Sequence, residues 1–210
     1  MADKSIELEL RAEVSPNDHD SIRSKLDEIG VLHSHTDRLS VMYFGEIGDK
    51  KIDIRVRVTN GECETVVKSG SFWSHDRVEV SQKITPQQFM GHVKIFAQFD
   101  FKSKVGERET FNYHLPNSVV ASLVTAGPIA YVELEIMSSP DEVEANKALL
   151  TGIANRLDLR LLESEAEFDD LCSRLDKEND WPMTGSEEDY AKLEILLDRH
   201  TTQDSSQAKI

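Results

Sequence analysis

Aliphatic and charged residues alternate without a break over residues 6–11. Successive side chains of a strand point to opposite faces, so Glu7, Glu9 and Arg11 share one face and the aliphatic residues share the other. The same alternation recurs over residues 53–58, 77–80 and 132–136. A single strand of this kind would be a surface strand whose charged face is solvated. Four of them, two rich in glutamate and one in arginine, predict a sheet whose charged face is the functional surface.

Helices are predicted between and after the strands, which favours the α+β class. Three helices are expected after the Ser-Pro or Thr-Pro pairs at 15–16, 85–86 and 139–140, and the first should end at Gly30. The Asn60-Gly61 pair is typical of a tight hairpin turn. Strands are predicted over residues 39–46, 51–58, 63–68, 76–81, 99–104, 107–114, 119–124 and 130–137.

The C-terminal part of the chain differs in character. Residues 181–185 predict a linker, residues 187–200 an amphipathic helix, and residues 201–209 a disordered polar tail. We therefore expect one domain over residues 1–177, and a linker, a separate helix and a tail over residues 178–210.

Composition narrows the class of protein. The 210 residues carry a net charge of −15, which argues against nucleic acid as a partner but not against a small phosphorylated ligand. The chain has no apolar run of the ~20 residues needed to cross a membrane and no basic-then-apolar start, so a cytoplasmic protein is predicted. Cys63 and Cys172 are expected to be reduced.

Paired glutamates indicate a cation site. Glu7 and Glu9 stand two residues apart, as do Glu133 and Glu135, and like charges about 7 Å apart along a strand repel each other. An antiparallel sheet closed into a barrel would make the first and last of these strands neighbours. Their carboxylates would then form an oxygen-only site suited to Mg²⁺ or Mn²⁺.

Basic residues follow the same strand alternation. A guanidinium group can bind two phosphate oxygens at once. Acidic residues that bind a metal ion, opposite basic residues that bind phosphate, would suit a polyphosphate chain. The pattern therefore favours phosphoryl or nucleotidyl transfer. His33 and His35 could form a metal pair but are more simply surface residues. The basic residues of this set are Arg11, Arg55, Arg57, Lys68, Arg77 and Arg108.

With these motifs in order, the chain resembles the CYTH superfamily, or triphosphate tunnel metalloenzymes, over residues 5 to about 175. Its members include inorganic triphosphatases, thiamine triphosphatases and class IV adenylate cyclases. The hallmark E-x-E-x-K strand corresponds to Glu7-Leu-Glu9-Leu-Arg11. The later motifs correspond to residues 54–57 (paired basic), 65–68 (lysine), 77–79 (R-x-E), 108–113 (basic) and 131–135 (closing E-x-E).

The resemblance implies an eight-stranded antiparallel β-barrel, a tunnel with flanking helices, in which glutamates bind two metal ions and basic residues hold a triphosphate. The expected metal ligands are Glu7, Glu9, Glu133 and Glu135, and the expected catalytic residues are Glu7, Glu9, Arg11 and Glu79. The expected substrate-binding residues are Arg11, Arg55, Arg57, Lys68, Arg77 and Arg108.

Three positions depart from the family pattern. Arg11 replaces the usual lysine, Ser122 stands where an acidic residue is usual, and Ser81 replaces a second glutamate after the R-x-E pair. The leading prediction is a Mg²⁺- or Mn²⁺-dependent hydrolase of inorganic tripolyphosphate or an organic triphosphate. The alternatives are a class IV adenylate cyclase and a non-catalytic polyphosphate- or nucleotide-binding module. The sequence leaves open whether the helix at 187–200 plugs the tunnel or mediates a homodimer.

Overall fold

A computed structural model describes residues 6–15, 17–70 and 78–202 of the chain. Arg77 and the predicted tail beyond residue 202 lie outside these residues. The described part forms an α+β fold. Its strands are β1 (Ile6–Val14), β2 (Val31–Ile47), β3 (Lys50–Thr59), β4 (Glu62–Ser69), β5 (Val78–Ile84), β6 (Lys102–His114), β7 (Val120–Ala126), β8 (Ile129–Ser138) and β9 (Trp181–Pro182). Its helices are α1 (His19–Ile29), α2 (Pro86–Phe96), α3 (Val143–Arg156), α4 (Glu165–Glu178) and α5 (Glu187–Thr202).

The strands form one antiparallel sheet in the order β1-β8-β7-β6-β2-β3-β4-β5, with β9 paired to β6. The predicted antiparallel sheet is confirmed, with nine strands in the described residues rather than eight. The first and last predicted strands, β1 and β8, are neighbours. Within the described residues the order remains open, since β1 and β5 stand at its two ends. Closure into a barrel is therefore not part of the observed topology.

The β3–β4 hairpin forms at the predicted turn. Asn60 and Gly61 both have positive φ, 47° and 84°. A two-residue turn with this geometry matches the twist of the flanking strands, and Asn and Gly adopt it with little strain. The turn sets the register in which Arg57 lies opposite Glu64.

One compact unit contains residues 6–15, 17–36 and 109–179. Its core lies where α1 and α3 cover the aliphatic face of the β1–β8 strands. Fully or nearly fully buried members include Leu8, Leu26, Leu134 and Leu150. The opposite side chains of β1 and β8 are the charged ones, so burial of the aliphatic set orients Glu9 and Glu133 away from this core.

A second compact unit contains residues 37–70, 78–108 and 180–202. Its core joins one face of β2, β3 and β4 to α2 and α5. Leu193 and Leu197 of α5 are buried there, beside Phe89 and Val93 of α2. The C-terminal helix is thus present as predicted and packs on β3 and α2. The domain division at residues 177/178 stays a prediction.

Several element boundaries differ from the predictions. Trp181 and Pro182, expected in a linker, form β9 against Lys104 and Val105. The two strands predicted at 99–104 and 107–114 are one strand, β6, because Gly106 continues the extended chain. Helix α4 was not predicted, since its many acidic residues obscure an apolar stripe that buries Leu171 and Leu175. In the described part, no helix is long and apolar enough to span a membrane.

Candidate functional site

The predicted acidic ligands come together on the β1–β8 pair. Glu9 lies directly opposite Glu135, and Arg11 lies opposite Glu133. Glu7 is one step further along the same face of β1, where it is exposed and faces Met137. Two strands far apart in sequence thus bring three glutamates and one arginine side by side.

The Arg11 guanidinium bridges two of these carboxylates. Its Nε donates a hydrogen bond of 2.9 Å to Glu133 Oε1, and its Nη2 lies 2.6 Å from Glu9 Oε1. The three side chains are each a little under one third exposed. The guanidinium carbon also lies 4.8 Å from the ring centroid of Phe168 on α4, a cation–π contact. Arg11 is therefore held by two charges and one aromatic face.

Glu9 has the most perturbed carboxyl group of the site. Burial, the negative charge of Glu133 and a hydrogen bond with it, and the charge of Glu135 raise the pKa of Glu9 to about 8, although Arg11 acts in the opposite direction. Glu9 Oε1 is buried and has no well-aligned hydrogen bond in the described residues. The close Arg11 Nη2 contact at this atom is thus an ion pair of poor hydrogen-bond alignment. The cluster carries more negative charge than one guanidinium offsets.

Carboxylate oxygens are the donors that Mg²⁺ and Mn²⁺ prefer, so the chemistry of Glu9, Glu133 and Glu135 fits a hard divalent ion. The positions of these three side chains, however, differ from those of a metal centre. Within the described residues, no three acidic, histidine or cysteine side chains converge as a metal centre. Two of the three glutamates are instead turned toward Arg11, which lies between them.

A neutral polar chain adjoins the acidic cluster. Ser122 of β7 lies opposite Glu133 in register. Its hydroxyl donates to Asn112 Oδ1 at 2.8 Å, and Asn112 Nδ2 donates to Ser34 Oγ at 3.0 Å. These groups add no negative charge beside Glu133. Asn112 was not predicted as a site residue. It lies between Phe111 and Tyr113, and strand alternation places it on the face opposite to these two aromatic side chains, which is the charged face.

The second unit carries the basic strands. Arg55 and Arg57 share a face of β3 with Asp53, and the Arg55 guanidinium donates to both carboxylate oxygens of Asp53, with Nη2 at 2.9 Å from Oδ2. Arg57 Nε donates to Glu64 Oε1 at 2.8 Å. Asp53 is almost completely buried. Carboxylates thus hold both guanidinium groups in fixed positions.

Lys68 and Glu79 face each other across β4 and β5. Lys68 Nζ lies 2.6 Å from Glu79 Oε2. Burial acts to raise the pKa of Glu79, but the hydrogen bond and charge of Lys68, together with the charges of Arg57 and Arg55, outweigh it and lower that pKa. Glu79 is therefore an ionised carboxylate next to basic groups.

Arg108 belongs to a further buried ion-pair group. It donates from Nη1 and Nη2 to the two oxygens of Asp180 at 2.7 and 3.0 Å, and Lys104 Nζ lies 2.9 Å from Asp180 Oδ2. Burial acts to raise the pKa of Asp180, but Arg108 and then Lys104 outweigh it, so this pKa is lowered. Lys104 Nζ also lies 5.6 Å from the Phe44 ring centroid.

The sequence predictions omitted three acidic partners of the basic residues, namely Asp53, Glu64 and Asp180. Asp53 stands two positions before Arg55, a spacing that places both on one strand face, so its signal was present. Lys104 precedes Arg108 by four positions on β6 and is found by the same alternation. Asp180 has no such signal, because only folding brings it to β6. Arg38, whose Nε donates to Thr59 Oγ1 at 2.9 Å, is a further basic residue that was not predicted.

The two histidines of β2 make ring contacts. His33 stacks on His114 with centroids 4.1 Å apart, and His35 stacks on Phe111 at 4.3 Å. His35 Nε2 also lies 2.8 Å from Glu109 Oε1. These contacts agree with the surface interpretation of His33 and His35.

Comparison with protein-family models and with curated protein sequences gives no match. Solved structures do match. PH1819 from Pyrococcus horikoshii OT3 is 19% identical with a TM-score of 0.59, and the alignment covers 80% of this chain and 99% of that chain. A Vibrio parahaemolyticus protein described as a candidate adenylate cyclase is 15% identical with a TM-score of 0.56, covering 89% of this chain and 98% of that one.

HpAC1 from Hippeastrum, described as a candidate adenylyl cyclase with a dominant triphosphatase activity, is also similar. It is 18% identical with a TM-score of 0.50, and the alignment covers 81% of this chain and 96% of that chain. At these identities the likeness establishes the fold and not the activity. The chain shares the fold of these three proteins, in agreement with the resemblance that the strand motifs predict.

Proposed function

We propose that the protein hydrolyses a triphosphate, inorganic tripolyphosphate or an organic triphosphate, with the help of Mg²⁺ or Mn²⁺. The observation that carries the proposal is the environment of Glu9, a mostly buried carboxyl group that faces Glu133 and Glu135. Such a concentration of carboxylate is unfavourable without a cation. The described triphosphatase activity of HpAC1, which shares the fold, adds support.

The acidic cluster holds the divalent ion in this proposal. Glu9, Glu133 and Glu135 provide oxygen ligands, and the exposed Glu7 adds a carboxylate at the end of the same face. A bound ion would neutralise phosphate charge and make phosphorus more electrophilic. Because Ser122 is neutral, the cluster has the charge to hold one ion more readily than two.

The basic cluster binds the phosphate oxygens. Arg55, Arg57, Lys68 and Arg108 perform this role, together with Arg77 outside the described residues. Their acidic partners keep the guanidinium groups oriented before the ligand arrives, which reduces the ordering that binding requires. Closure of the sheet into a tunnel around the triphosphate is part of this proposal, and so is a cytoplasmic location.

Two residues act on the reaction itself. Arg11 stabilises negative charge on the phosphate that is attacked, as forked guanidinium groups do. Glu79 is ionised, so it can accept a hydrogen bond from the attacking water and orient that water toward phosphorus. For Glu79 to do so, Lys68 must turn from the carboxylate to a phosphate oxygen.

A panel of substrates tests the function. Tripolyphosphate, ATP and thiamine triphosphate are incubated with wild-type protein in Mg²⁺ or Mn²⁺, and phosphate and cyclic AMP are measured. We expect phosphate release, strongly reduced in the double variant Glu7→Gln/Glu9→Gln. Glu62→Gln, which changes an exposed glutamate on β4, is the matched control and should retain full activity.

The same assay separates the alternatives. Cyclic AMP from ATP would show the class IV cyclase, a candidate favoured by the description of the Vibrio parahaemolyticus protein. Calorimetric binding of triphosphate without turnover would show the binding module, which the neutral Ser122 favours. Full activity in the double glutamate variant would refute the metal assignment. A homodimer through α5 stays a prediction, which sedimentation can test.

A further inference from the structure

We infer that Arg11 is an exchangeable internal cation: its guanidinium occupies the position between Glu9 and Glu133, leaves it when a divalent ion binds there, and then binds phosphate. This inference rests on the proposed function and deepens it. It explains why a cluster with the right donor atoms shows no converged metal centre in the described residues.

The contacts of Arg11 are those of a substitute ion. Its Nε and Nη2 reach one oxygen each of Glu133 and Glu9, at 2.9 and 2.6 Å. A divalent ion that binds the same oxygens would lie within a few ångströms of the guanidinium. Two cations at that separation repel strongly in a partly buried site. Occupancy by one therefore opposes occupancy by the other.

The guanidinium is also held from the side of α4. The ring centroid of Phe168 lies 4.8 Å from the guanidinium carbon. Helix α4 is tied to the same strand by Arg174, which donates from Nη1 to Glu13 Oε1 at 2.6 Å. The cation–π contact between Phe168 and Arg11 stabilises the bridging position of Arg11 and weakens divalent-ion binding in the absence of an anion.

Anion and metal binding are coupled as a result. An anion that attracts Arg11 away from Glu9 and Glu133 leaves these carboxylates to the divalent ion, so each ligand raises the affinity for the other. Such coupling is reciprocal by thermodynamic linkage. A metal–triphosphate complex satisfies both partners at once, whereas the free ion does not.

Mn²⁺ binding to substrate-free protein tests the inference. The loss of the free Mn²⁺ signal in electron paramagnetic resonance is followed with and without sulfate, a dianion that chelates Mn²⁺ only weakly. The variants are Arg11→Gln and Arg11→Lys. Arg199→Gln is the matched control, because it removes an arginine–glutamate pair, that of Arg199 with Glu107, which involves neither β1 nor α4.

We expect Arg11→Gln to bind Mn²⁺ about ten-fold more tightly than wild type, the change expected when a competitor that holds two partly screened ion pairs is removed. Sulfate should tighten Mn²⁺ binding to wild type and to Arg199→Gln but should have no effect on Arg11→Gln. Arg11→Lys should lie between wild type and Arg11→Gln. Phe168→Leu, which retains Arg11 but removes the ring, should also bind Mn²⁺ more tightly than wild type.

Circular dichroism establishes that each variant is folded. If Arg11→Gln does not fold, Arg11→Lys and Phe168→Leu decide the question by the same two readouts. Unchanged Mn²⁺ affinity in the folded variants, or an equal effect of sulfate in Arg11→Gln and wild type, would overturn the inference. If wild type then still hydrolyses triphosphate and Glu9→Gln does not, the proposed function stands without it. If wild type neither binds Mn²⁺ nor hydrolyses triphosphate, both fail.

Discussion

The carboxylate of Asp180 lies so close to Gly106 that a β-carbon at residue 106 would come within 2.3 Å of its Oδ1. Glycine at this position allows a buried acid to reach the backbone of β6. The acid in turn holds Arg108 and Lys104, on either side of Gly106 in the strand. Because Gly106 has no side chain, Asp180 can reach β6 and hold Arg108, a predicted phosphate-binding residue.

We predict that Gly106→Ala destabilises the protein by about 2 kcal/mol, because Asp180 can move away only by weakening its buried ion pairs. The shift of the urea midpoint measures the effect. Gly91→Ala is the control: it lies in helix α2, where a β-carbon meets no atom within 4 Å and alanine favours the helix. Equal midpoints for the two variants would contradict the packing argument.

The lowered pKa of Asp180 also makes the stability of the fold depend on pH. Its pKa is lowered from the usual 3.8, so its ionised form stabilises the folded state above about that pH, and this contribution is lost as pH falls through the lower folded value. Asp180→Asn should lower stability at pH 7 by about 3 kcal/mol, because it removes the buried negative charge that Arg108 and Lys104 face. It should also flatten the loss of stability below pH 3.8. Urea midpoints from pH 7 to acid measure both. An acid dependence as steep as wild type would refute the assignment, and Asp141→Asn at an exposed site is the control.

Arg57 tests the phosphate-binding role. Arg57→Lys keeps the charge but loses the forked donors, so we expect KM for tripolyphosphate to rise about ten-fold with a smaller change in kcat. Steady-state phosphate release provides both constants. Arg160→Lys changes an arginine that is 72% exposed and should leave both constants unchanged. An unchanged KM for Arg57→Lys would remove Arg57 from the proposed site.

His200 tests how α5 is attached. Its buried ring lies between two carboxylates, with Nε2 2.8 Å from Glu107 Oε1 and Nδ1 3.5 Å from Asp37 Oδ2. His200→Ala removes both contacts and the ring, and should destabilise the protein by about 2 kcal/mol. Amide hydrogen exchange in α5 should increase. His114→Ala, which changes an exposed ring, is the control. Unaltered exchange in α5 would show that its leucines suffice to hold it.

The sequence predicted most reliably what depends on near neighbours in the chain. Alternation alone assigned Glu9 and Arg11 to one strand face, and the Asn60-Gly61 pair located a hairpin. The Thr85-Pro86 pair located the start of α2, and the amphipathic pattern of residues 187–200 predicted α5. No such pattern was recognised for α4, where the surface charge is dense and the apolar stripe is narrow. The sequence also favoured a linker at Trp181 and Pro182, because nothing in the neighbouring residues indicates their pairing with β6.

The alternation of side chains along each strand was determined by the sequence itself, because it follows from backbone geometry and from which residues favour burial. It established that the chain has charged strand faces and which residues lie on them. Only the tertiary structure decided how those charges are paired. Arg11 meets Glu133 and Phe168, and Arg108 meets Asp180, because strand register and helix packing bring together residues that are distant in the chain. Pair energies depend on separation and burial, and neither is encoded in local spacing.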